Sequence, residues 1–104
     1  MKILRIYYTN TGCIESINCS KIDSILYVED SRCLTLSFNN EDSDIELTVI
    51  REAWVELKEL EKDLVCFLAN ETSNKNIFDL KIELVEEGVE HIKKLSWGVV
   101  SLLI

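Results

Sequence analysis

The chain has 104 residues, 47% of them apolar and 29% charged, with three Gly and no Pro. That size and composition exclude a disordered or collagen-like chain and give one domain over residues 1–104 with a single core. Nineteen acidic against eleven basic residues leave a formal charge of −8, which argues against direct binding to nucleic-acid phosphates or an anionic membrane.

Arg5 interrupts the N-terminal apolar run, so no secretory signal is read there, and Trp97 to Ile104 falls short of the about 20 residues a spanning helix needs. A cytoplasmic protein is expected. In that compartment Cys13, Cys19, Cys33 and Cys66 are expected as free, mostly buried thiols.

In chain order, Lys2 to Thr9 alternates like a strand, Asn10-Thr11-Gly12 supplies a turn, and Cys13, Ile14 and Ile17 suggest a short second strand. Ile22 to Glu29 and Cys33 to Phe38 flank the polar Asp30-Ser31-Arg32 and predict a hairpin. Asn39 to Asp44 reads as a turn, and Ile45 to Thr48 as one more strand. Together these predict an antiparallel β-meander over residues 2–48.

Thr48 is then placed to N-cap a long amphipathic helix running to Ala69, with Asn70 in the left-handed terminal position. Ile50, Ala53, Leu57, Leu60, Leu64 and Phe67 recur at three- and four-residue steps as its buried stripe, which Trp54, Val65 and Leu68 widen. Asn76 to Leu84 fits a strand or a helix. The cost of about 1 kcal/mol for Gly88 inside a helix favours a strand ending near Leu84, then a short helix from Val85 to Leu95 with Glu90 and Lys94 four residues apart. Trp97-Gly98 is expected to break that helix, and Val99 to Ile104 to form a covered terminal strand. The fold class predicted is α+β, the meander packed by one long helix.

Catalytic chemistry finds little footing. Gly12, Gly88 and Gly98 are isolated, so no phosphate-cradling loop exists. No cysteine pair has metal-site spacing, and His91 is the single histidine, so neither metal nor cofactor is expected. Glu87 and His91 would share a helix face as carboxylate and base, but the pattern lacks a third member and is read as a solvated pair. Tyr7, Tyr8, Trp54 and Trp97 stand among aliphatic neighbours and read as core.

Charge is more informative, because it is regional. Residues 1–40 hold four acids and four bases, whereas residues 41–90 hold fifteen acids and five bases. Glu52, Glu56, Glu59 and Asp63 repeat the stepping of the buried stripe displaced by one residue, which predicts an acidic ridge beside the core face, partly relieved by Lys58 and Lys62. Glu41, Asp42 and Asp44 in the preceding turn extend the same field.

A solvated helix flank explains such a ridge on its own. The functional reading is a small non-enzymatic inhibitor or antagonist, of mobile-element or immunity type, whose ridge occludes a basic, nucleic-acid-binding or similar surface of a partner protein. The wealth of Ile, Lys, Asn and Glu agrees with an AT-rich bacterial or phage genome. The alternative is a structural subunit or adaptor that self-associates, or pairs with another chain, through an edge strand or the C-terminal strand. A small enzyme using unrecognised carboxylates is the third reading.

Overall fold

The computed structural model describes residues 1–39, 44–70, 74–86 and 91–101. β1 (Ile3–Tyr8) and β2 (Cys13–Asn18) pair antiparallel, from Ile3 with Asn18 to Tyr8 with Cys13. Their turn closes because Gly12, at φ +75°, donates its amide to the Tyr8 carbonyl at 2.9 Å. That left-handed backbone suits a residue without Cβ.

A 3-10 turn, Cys19–Lys21, leads into β3 (Ile22–Val28), β4 (Cys33–Phe38) and β5 (Ile45–Val49), an antiparallel meander with Leu34 opposite Leu47 and Tyr27 opposite Leu34. A second 3-10 turn, Arg51–Ala53, precedes helix α1 (Trp54–Ala69), and β6 (Ile77–Leu84) and β7 (His91–Val100) then pair antiparallel.

The seven strands form one mixed sheet in the order β2-β1-β6-β7-β5-β4-β3, with β1 parallel to β6 and β5 parallel to β7. The predicted continuous meander over 2–48 is therefore two pieces, the β1–β2 hairpin and the β3–β4–β5 meander, with β6 and β7 inserted between them. This sheet must also curl. β2 and β3 lie at opposite edges, yet only Cys19–Lys21 joins them, and that link reaches at most about 14 Å. In a flat sheet those edges would stand about 29 Å apart. The concave side of the roll holds α1.

Burial alternates along most of the strands, because α1 covers one face of the sheet. Leu4, Ile6, Leu34, Leu36, Leu47, Val49, Phe78, Leu80, Ile82, Ile92 and Leu95 point inward and meet Ala53, Leu57, Leu60, Leu64 and Phe67 of the helical segment. The Phe67 and Phe78 rings lie 5.5 Å apart at 57°, a tilted pairing that adds to their burial.

Several further expectations are corrected. His91 to Leu95 belong to β7 and not to a helix, because Ile92 and Leu95 pair with Leu84 and Ile82 of a strand already in place. Trp97 and Gly98 lie within β7, opposite Leu80 and Asp79, and break nothing. Helix α1 begins at Trp54 rather than after Thr48, which is held in β5 opposite Cys33 and His91, and no side chain caps its start. At its end Asn70 is extended at φ −86° instead of left-handed, and Val65, expected to widen the buried stripe, is exposed because it lies outside the arc that faces the sheet. Val99 and Val100 end β7 half-buried and exposed, not in a strand covered on both sides, because the outer face of the sheet is open there; Glu90 and Leu102 to Ile104 lie outside the described residues.

Candidate functional site

The acidic flank follows from the register of α1. Leu57, Leu60 and Leu64 are buried, and Glu56, Glu59 and Asp63 each precede one of them, a rotation of about 100° toward solvent. Glu52 stands in the same relation to buried Ala53 within the 3-10 turn, so all four acids are exposed on one flank. Asp63 takes a further role, accepting a hydrogen bond from the Trp97 indole nitrogen at 2.8 Å, which ties the flank to β7.

Lys58 does not provide the partial relief expected of it. Lys58 turns to the other flank, 3.9 Å from Glu29 and 5.3 Å from the centre of the Trp54 ring. Among the described residues no ion pair joins a cation to Glu52, Glu56, Glu59 or Asp63.

Of the turn acids, Glu41 and Asp42 lie outside the described residues. Asp44 is exposed at the start of β5, whose five residues carry the chain about 17 Å before the ridge begins. Asp44 thus stands at the opposite end of β5 from Glu52. Asp44 instead borders a cavity of about 370 Å³ at the mouth of the roll, lined by Tyr8, Ile45, Glu46, Leu47, Ile82, Leu84 and Ile92. Burial, then the charge of Glu15, raises the Tyr8 phenol above its ordinary value.

The remaining chemistry is dispersed. His91 is exposed in a strand and Glu87 lies outside the described residues, so the helical carboxylate–base spacing does not apply. Among the described residues no three His, Cys, Asp or Glu gather as metal ligands, and no described helix is long and apolar enough to cross a membrane. Tyr7, Tyr8, Trp54 and Trp97 are half-buried, with Tyr8 and Trp97 packed against the core and Tyr7 and Trp54 outside it.

All four cysteines are free, with Cys19 buried, Cys33 half-buried, and Cys13 and Cys66 exposed. The expectation of general burial fails for two of them, because Cys13 lies on edge strand β2 and Cys66 on the outer side of α1. Burial pushes the Cys19 thiol up, against the opposing charge of Lys2.

On the convex face Arg5 of β1 grips Asp79 of β6 through two hydrogen bonds of 3.0 and 3.2 Å. The hydrogen bond from Arg5 holds the Asp79 carboxyl below its ordinary value. Sequence reasoning also passed over Arg32 and Arg51, because nothing in the linear pattern shows that the β3–β4 turn meets the start of α1.

Comparison with protein-family models, with curated proteins and with solved structures finds no match to this chain.

Proposed function

We propose that the protein acts by binding and not by catalysis, as a small cytoplasmic inhibitor or antagonist, of mobile-element or immunity type, that occupies a basic surface of a partner protein. The observation that carries this reading is the exposed row Glu52, Glu56, Glu59 and Asp63, to which no ion pair runs from Lys58 or from any arginine among the described residues. Like charges three and four residues apart oppose the helix by a few tenths of a kcal/mol per pair. A basic partner would relieve that opposition and be steered toward it before contact.

The test is a Glu56→Lys, Glu59→Lys double variant used as bait beside the wild type in extracts of the native host, at low and high salt. The variant should fold normally by circular dichroism, since both positions are exposed. It should lose proteins that the wild type retains at low salt and releases at high salt. Equal retention with equal salt dependence would make the ridge a solvated flank.

A second reading, self-association or pairing through an edge strand, draws on the exposed Leu26 and Val28 of edge strand β3 and Ile14 of edge strand β2. Sedimentation equilibrium separates the two, because strand pairing would give a salt-resistant dimer.

A further inference from the structure

The outer corner where the β3–β4 turn meets the start of α1 breaks the acidic character of the molecule. A cavity of about 180 Å³ there is lined by Arg32, Arg51, Trp54 and Glu29. It is open to solvent on one side and wide enough to admit a small polyatomic anion. Of the lining residues only Glu29 is acidic, and Lys58 stands 3.9 Å from it. The lining thus carries two guanidinium groups against one carboxylate that Lys58 already pairs, with Asp30 and Glu52 next to it along the chain.

Arg32 is held in an unfavourable backbone state to be there. Its φ is +51°, the one positive value outside glycine among the described residues, a conformation that Gly or Asn adopts more readily. Its amide donates to the Glu29 carbonyl at 3.1 Å, its carbonyl accepts from the Val49 amide at 3.1 Å, and its Nε donates to the Val49 carbonyl at 3.4 Å. The stem of the side chain is thus anchored, while no carboxylate pairs with its terminal nitrogens or with Arg51 among the described residues. A guanidinium fork matches the oxygens of a phosphate group better than an ammonium does. Trp54 supplies the apolar wall beside the fork, with Lys58 over its ring at 5.3 Å.

We propose that this corner is a binding site for a phosphate group, free or carried as a monoester, in which Arg32 and Arg51 donate to its oxygens and Trp54 packs against what it is attached to. The formal charge of −8 does not forbid this at physiological salt, since charges beyond about 8 Å are largely screened.

The experiment is an amide and indole NMR titration of the full chain with inorganic phosphate and with phenyl phosphate, at constant ionic strength and pH. Wild type is compared with Arg51→Gln and Arg32→Gly. The proposal requires saturable shifts at Arg32, Arg51 and the Trp54 indole, weakened roughly tenfold or more in each variant. Arg32→Gly serves a second purpose, because glycine relaxes the turn and thermal stability should not fall enough to cause the loss. Tighter binding of phenyl phosphate assigns the site to a monoester, and equal binding assigns it to the free anion. Shifts that never saturate, or that saturate alike in wild type and both variants, overturn the proposal.

Discussion

Lys2, just before β1, caps the C-terminal end of α1 from more than sixty residues away in sequence. Its ammonium donates to the carbonyls of Phe67 at 2.6 Å, Leu68 at 3.1 Å and Asn70, and lies 5.3 Å from the centre of the Phe67 ring. Those carbonyls are the unsatisfied, negative end of the helix, where a cation is favoured. Lys2→Met keeps the apolar stem and removes the charge, so it should lower stability by about 1–2 kcal/mol, read from denaturant midpoints. An unchanged midpoint would mean that water serves those carbonyls equally well. The cysteines give a second residue-scale prediction. In native protein Cys13 and Cys66 should react with a thiol reagent first and Cys19 last, because it is buried and its thiol is pushed up. Mass mapping of partly labelled protein checks the order, and early labelling of Cys19 would contradict the packing at the start of the 3-10 turn.

At the scale of elements, α1 is fixed by its stripe and not by its ends. Leu64→Ala should cost about 2–5 kcal/mol by leaving a cavity between helix and sheet, while Glu59→Ala on the exposed flank should stay within about 0.5 kcal/mol. Midpoints in the reverse order would mean a different rotation of α1. The parallel junction of β1 with β6 carries the Arg5–Asp79 pair, which makes it sensitive to acid. The Asp79 carboxyl is held below its ordinary value when folded. Its contribution is therefore present above the unfolded pKa, about 3.9, and is lost as pH falls through the lower folded value. Asp79→Asn should flatten the fall of stability with pH in that acid range, measured as thermal midpoints against pH. A slope equal to that of wild type would show that the pair is too exposed to matter.

At the scale of the whole molecule, the sheet is closed by contacts distant in sequence. β1 meets β6 from Ile3 with Ile77 onward, and β5 meets β7 through Thr48 with His91. No local pattern encodes such pairings, since a strand carries its face in its alternation but not the identity of its neighbour. This is why the strands from Ile3 to Val49 and the buried stripe of α1 were legible in the sequence while the order of the sheet was not. His91 to Leu95 shows the limit sharply. Ile92 and Leu95, three residues apart, fit a helical face, and only pairing across a register shift at Glu83 and Leu84 makes them neighbours on one side of a strand.

The candidate site divides the same way. The acidic row on α1 was readable because each acid precedes a stripe residue within one helix. Its separation from Asp44, the turning of Lys58 toward Glu29, and the meeting of Arg32 with Arg51 depend on how β5, α1 and the β3–β4 turn are arranged in space. By itself the sequence determined the class of the fold, the inward faces of most elements and the regional charge, all properties of periodicity and composition. The tertiary structure alone decided strand order, curl and which charges stand together, because those depend on contacts between residues that no short stretch of chain contains.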